Sequence, residues 1–297
     1  MVNEKPDVLV CIDYPGLNMK IAHAAKEMGI PVVYYIAPTI WAWKKGRAKQ
    51  IARDVRQVAS IFPFEAEAYK KAGAPVTFVG HPLADTVKTS MSFEEAMEYF
   101  GGQKDKKRIL LMPGSRKNEV SGLLPVMLDA CKLISEKAEC QFYLPKADTI
   151  SDEFLKSFLS KYPELSVTVT EGKQYDLMQI CTACIASSGT ATLETALMQL
   201  PTVLIYKLAP ATWFIAKHVV EVEYAGLPNL LLQKEVTPEL LQDQVTAENI
   251  ASIIVPWITD EQIRARNINE IQEVRKRLGD EGAVKRTARL ILKTAGE

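Results

Sequence analysis

Short apolar runs recur along this chain, and nearly every one leads through a turn into a helical stretch. Residues 8–12, 31–36, 57–62 and 76–79 form one series, and residues 109–112, 141–144, 166–169, 183–186 and 202–206 form a second. Runs this short, apolar on both faces and separated by helices, fit parallel strands buried between helical layers. The pattern predicts an α/β fold of two doubly wound domains. Between the two series lies Gly101-Gly102-Gln103-Lys104-Asp105-Lys106-Lys107, polar and glycine-containing. It reads as the linker and divides the chain into residues 1–104 and 105–297. From Ala247 onward the pattern is nearly all helical.

Charge narrows the function. Lys and Arg number 36 and Asp and Glu number 36, so there is no basic excess to favour nucleic acid. No apolar run approaches membrane-spanning length, and the first ten residues lack a signal-peptide layout. These features predict a cytoplasmic protein, and the 5 Cys fit reduced thiols. Cys181 and Cys184 have a CxxC spacing, but no second pair follows, which favours semi-buried thiols over a metal or redox site.

In a doubly wound sheet, ligands bind at the carboxyl ends of the strands. Two strand-end loops of the second series share one design. Pro113-Gly114-Ser115-Arg116 and Ser187-Ser188-Gly189-Thr190-Ala191 each run from an apolar strand through small residues into a helix. Small residues allow close backbone approach, and the amides opening a helix attract anions. Arg116 adds a permanent cation suited to phosphate oxygens. Side by side, the two loops would cradle a diphosphate. Glu194, placed by this reading in the first turn of the following helix, either gains from the helix dipole or bonds ribose hydroxyls.

Asp13 ends the first strand and either caps the helix beginning near Leu17 or serves as a general base. His81, in Gly80-His81-Pro82, reads as structural more readily than catalytic. Trp41-Ala42-Trp43-Lys44-Lys45-Gly46-Arg47 combines indoles with cations, as a packed loop or a membrane-interface segment would, and Thr212-Trp213-Phe214 is similarly ambiguous. The sequence contains no GxxxxGK[ST], GxGxxG or HExxH pattern.

Taken together the segments resemble the lipid-A-disaccharide synthase family. The resemblance is carried by Cys11-Ile12-Asp13-Tyr14-Pro15-Gly16-Leu17-Asn18, Pro38-Thr39-Ile40-Trp41-Ala42-Trp43 and Phe62-Pro63-Phe64-Glu65. It continues through Val79-Gly80-His81-Pro82-Leu83-Ala84-Asp85, Leu111-Met112-Pro113-Gly114-Ser115-Arg116 and Ser188-Gly189-Thr190-Ala191-Thr192-Leu193-Glu194 to Leu227-Pro228-Asn229-Leu230-Leu231. It implies a GT-B architecture, two Rossmann-like domains with the active site between them. It also implies inverting transfer of 2,3-diacylglucosamine from UDP to the 6-hydroxyl of 2,3-diacylglucosamine 1-phosphate (lipid X), without metal or cofactor. Work at the cytoplasmic face of the inner membrane and a possible homodimer are implied as well. By motif, Asp13 matches an aspartate important for activity, Arg116 an arginine at the nucleotide site and Asn229 an asparagine near the active site, with Gly114, Ser115, Ser188, Gly189 and Thr190 at the diphosphate and Glu194 at the ribose. Nothing local to Asn229 points to that role.

The resemblance further implies a Gly-Glu-x-Ser-Gly-Asp loop and additional α/β units ahead of the segment matching Lys5-Pro6-Asp7. These 297 residues carry none of them, so the first sheet is expected to be incomplete. Two alternatives stay open at this point: another UDP-sugar GT-B enzyme, or an inactive UDP-binding fragment.

Overall fold

A computed structural model describes residues 5–40, 46–208, 213 and 223–296. The described chain forms two compact units. One holds the residues up to Thr86 together with those from Lys276 onward, and the other holds Val87–Trp213 and Glu223–Arg275. Each carries its own parallel sheet.

In the first unit β1 (Leu9–Ile12), β2 (Val32–Tyr35), β3 (Gln57–Ser60) and β4 (Val76–Phe78) pair in chain order, all parallel. Helices Pro15–Glu27, Gly46–Asp54 and Pro63–Lys71 make the crossovers that parallel pairing requires. Cys11, Val32, Tyr34 and Val58 of the strands pack with Met19, Ala22, Ile51 and Tyr69 of the helices. Among the described residues its strand order does not reverse, and they form no switch point in this sheet.

The second sheet contains β5 (Lys107–Met112), β6 (Cys140–Pro145), β7 (Val167–Thr170), β8 (Ala183–Ser187), β9 (Thr202–Tyr206) and β10 (Glu239–Leu241). Its order is β10-β9-β8-β5-β6-β7, with every pair parallel. The chain enters at β5, moves outward to β7, then returns to lay β8 on the other flank of β5. Strand order reverses between β5 and β8, which opens a crevice at their carboxyl ends. Side chains alternate between two cores. Ile109, Leu111, Phe142 and Ile185 face Leu124, Met127, Ile254 and Trp257. Leu110, Tyr143, Cys184 and Ala186 face Met97, Phe100, Leu177 and Ile180.

The division between units falls at Thr86/Val87, not at the 104/105 boundary expected from composition. Helix Phe93–Tyr99 is the reason, because Ala96, Met97 and Phe100 belong to the second unit's core. The glycine-containing stretch is tied down as well. The Gln103 amide donates to Gln141 Oε1 at 2.7 Å, and Gln141 Nε2 donates to the Gly101 carbonyl at 3.1 Å. At the other end, helix Ala283–Ala295 returns to the first unit. The Asp85 carboxylate accepts the Gly282 and Val284 amides at 2.5 and 3.2 Å, and Arg286 Nε donates to the Val79 carbonyl at 2.7 Å.

Candidate functional site

Leu111 is paired with Ile185 and Met112 with Ala186, so β5 and β8 deliver their loops side by side. Gly114, Ser115, Arg116, Ser188, Gly189 and Thr190 line one cleft of about 400 Å³. The backbone explains the glycines. Gly114 has φ 107° and Gly189 has φ 148°, both in territory that L-residues avoid. A Cβ on Gly114 would also stand 2.5 Å from Glu119 Oε2. Gly189 is the N-cap of helix Thr190–Leu197, and no side chain caps that end. Thr190 and Ala191, which carry its first amides, line the cleft.

Arg116 stands at the rim, its side chain 81% exposed, with Nη1 2.7 Å from Glu119 Oε1. Glu119 Oε2 accepts the Ser115 and Arg116 amides at 3.2 and 3.3 Å. Lys146, just beyond β6, lines the same cleft between Asp152 at 2.7 Å and Glu171 at 2.5 Å. Hydrogen bonds to these two carboxylates raise the pKa of its ammonium.

Glu194 lies in the second turn of its helix, not the first, so the dipole gives it no particular stabilisation. Its position is set by other residues. Tyr175 Oη and Gln174 Nε2 both donate to Glu194 Oε1, at 2.8 and 3.2 Å. Burial, and then the Glu194 carboxylate, push the Tyr175 hydroxyl up to about 12. Gln174 lines the cleft and connects it to Glu194.

Asp13 belongs to the first unit, and the structure decides against the capping role. Helix Pro15–Glu27 has Tyr14 as N-cap and no side-chain cap bond. Asp13 and Tyr14 have φ 47° and 41°, two successive non-glycine residues in the left-handed region. Such residues cost roughly 1–3 kcal/mol each and persist only where neighbours hold them. The neighbours here are Asn18 Nδ2, 2.7 Å from the Asp13 carbonyl, and Tyr34 Oη, 2.9 Å from it. The Asp13 side chain is exposed at the end of β1.

Asn229 requires a correction. It is 0% exposed and its amide is fully engaged. Nδ2 donates to the Thr237 carbonyl and Glu239 Oε1, both at 2.7 Å, and Oδ1 accepts the Val236 and Thr237 amides at 2.7 and 2.9 Å. With four bonds made, it has none left for a ligand. It ties the Glu239 carboxylate to the backbone of Val236 and Thr237. Glu239 accepts the Ala225 and Gly226 amides at 2.7 and 2.9 Å, and the Ala225 carbonyl accepts the Ser188 hydroxyl at 3.4 Å.

Among the described residues, His81 and the two cysteines of the CxxC pair are packed into the core. His81 is buried against Phe62 at 4.9 Å, its Nδ1 accepts the Leu83 amide at 3.1 Å, and desolvation lowers its pKa to about 4. Cys181 and Cys184 are unpaired thiols whose pKa values burial raises. Of Trp41–Arg47, only Gly46 and Arg47 lie among the described residues; Thr212 and Phe214 lie outside them.

Residues 1–293 match the model of the family described as lipid-A-disaccharide synthetase. The chain belongs to this family. The lipid-A-disaccharide synthase of Geobacter metallireducens is 43% identical over 293 residues, 98% of this chain and 76% of that protein. The synthase of Trichlorobacter lovleyi is 44% identical with the same coverage. Among solved structures, the UDP-GlcNAc 2-epimerase of Neisseria meningitidis superposes with TM-score 0.69 at 15% identity, covering 98% of this chain and 78% of its own. MurG of Acinetobacter baumannii gives 0.61 at 15% identity, covering 99% of this chain and 75% of its own. These likenesses establish the GT-B fold, and family membership makes this lipid-A-disaccharide synthase homologue a glycosyltransferase that forms the lipid A disaccharide.

Sequence reasoning missed Glu119, Lys146, Gln174 and Tyr175. Lys146 carried a usable signal, since it follows a strand directly. The other three reach the site through helix register and tertiary packing.

Proposed function

We propose that this chain transfers 2,3-diacylglucosamine from UDP-2,3-diacylglucosamine to the 6-hydroxyl of lipid X. The products are the β-1,6-linked lipid A disaccharide 1-phosphate and UDP. One observation carries the placement of the donor: two glycine-bearing loops and Arg116 converge at the switch point of the second sheet. The Neisseria epimerase, of the same fold, was solved with UDP-GlcNAc bound, which supports a uridine diphosphate as the ligand class.

In this reading the diphosphate lies over the amides of Gly114–Arg116 and of the helix opening at Thr190, with the Arg116 guanidinium on its oxygens. Glu194 accepts the ribose hydroxyls. Asp13 takes the proton from the acceptor hydroxyl, whose oxygen attacks the anomeric carbon from the face opposite UDP. The bond from that carbon to the diphosphate breaks, its electron pair stays with UDP, and the anomeric configuration inverts. Arg116 and the amides stabilise the charge developing on the departing oxygen. Acyl chains on both substrates place the reaction at the surface of the inner membrane.

Replacing Arg116 with Ala is expected to lower turnover roughly 100- to 1,000-fold and to weaken UDP binding in calorimetry. Unchanged kinetics would remove Arg116 from the mechanism. Equal turnover of acylated and unacylated donors would move the chain to another UDP-sugar chemistry.

A further inference from the structure

We infer that Glu119 is an internal competitor of the donor's diphosphate, a carboxylate that leaves the cradle when the nucleotide enters and returns as UDP departs. The inference rests on the reading of the cradle given above and adds to it a residue that sets affinity for the leaving group.

Three contacts define the arrangement. Glu119 Oε2 takes the amides of Ser115 and Arg116, at 3.2 and 3.3 Å. Glu119 Oε1 takes Arg116 Nη1 at 2.7 Å. Oε2 also lies so close to Gly114 that a Cβ there would meet it at 2.5 Å. Two amides, a guanidinium and a bare glycine surface are the groups assigned to the diphosphate. A carboxylate oxygen and a phosphate oxygen make the same demands of them, and two anions cannot share the place.

The carboxylate is the weaker occupant. Its amide bonds are long beside the roughly 2.7–2.9 Å of a well-fitted charge-assisted bond. Its side chain is 35% exposed, so it can rotate into solvent. A diphosphate brings more charge and more acceptor oxygens. A helix cap explains the amide bonds, since a glutamate three residues into a helix commonly reaches back to its start. It does not explain why the same carboxylate also holds the arginine that the leaving group needs.

Glu119→Gln tests this, because glutamine keeps the size and the capping oxygen but loses the charge. The full chain and the variant would each be titrated with UDP and with uridine. UDP is expected to bind about 3- to 10-fold more tightly to the variant, a change on the scale of one ordinary net hydrogen bond. Uridine, which has no phosphate to compete, should bind both alike, and UDP should dissociate more slowly from the variant in stopped-flow traces. Glu119→Asp, which withdraws the charge by one methylene, should give a smaller gain in UDP affinity, and thermal melts check that both variants fold. Equal or weaker UDP binding by the folded variants, or an equal gain for uridine, would overturn the inference and leave Glu119 a cap. Failure of the unaltered chain to bind UDP would instead overturn the reading of the cradle.

Discussion

On the reading proposed above, strand-end loops of the two units solve opposite problems with the same backbone region. The cradle after β5 and β8 must present amides, so it uses Gly114 and Gly189, whose φ of 107° and 148° involve no side-chain clash. The loop after β1 must present a carboxylate, so it cannot use glycine. It puts Asp13 and Tyr14 into the left-handed region and holds them with Asn18 and Tyr34. Where the backbone is the ligand-binding group, side chains are removed; where a side chain is, strain is accepted and braced. The first design needs little support from neighbours, and the second depends on it.

The sharpest way to separate the two designs is Asp13→Asn. Asparagine tolerates the left-handed conformation, so the loop should keep its shape while losing its base. Turnover is expected to fall roughly 100- to 10,000-fold, with UDP affinity in calorimetry unchanged. A parallel loss of UDP affinity would mean that the loop's shape matters more than its carboxylate. Gly114→Ala should do the reverse. A methyl at φ 107°, pressed against Glu119, is expected to weaken UDP binding about 10- to 100-fold, through strain of roughly 1–3 kcal/mol. Wild-type affinity in that variant would dismiss the requirement for glycine.

A further loop, Gly80-His81-Pro82, offers a smaller test, because its histidine serves packing. Burial lowers the His81 pKa from 6.5 to about 4, so the folded protein refuses a proton that the unfolded chain accepts between those values. Stability contributed by the neutral ring is therefore complete above about pH 6.5 and is lost as pH falls toward 4. At pH 5 the loss should reach about 2 kcal/mol. His81→Asn, which keeps an acceptor for the Leu83 amide, should flatten this part of a denaturation-versus-pH curve. An unaltered slope would assign the pH dependence to other groups.

The strands and the cradle were legible in the sequence because both are local signals. An apolar run followed by small residues marks a strand end whatever the rest of the chain does. The unit boundary was not legible, since a polar glycine-containing stretch looks the same whether it swings free or is tied down by Gln141. Tyr175 and Gln174 are about 20 residues from Glu194, and only the packing of two helices brings them to it. Asn229 illustrates the opposite error. Family resemblance put the residue near the active site, but its amide is spent on four internal hydrogen bonds. Resemblance reports that a position matters and says nothing of whether it faces the ligand or the core.

The return of helix Ala283–Ala295 to the first unit sets an order of assembly. Asp85 and the Gly282 amide are 197 residues apart in sequence. The sheet of β1–β4 is synthesised before helix Ala283–Ala295, so Asp85 and Val79 find their partners only once that helix has been made. The second unit, with all its strands between Lys107 and Leu241, can close while that wait continues. Of the two sheets, the one made earlier is thus completed later, and its unpaired surfaces stay exposed to misassembly in the interval.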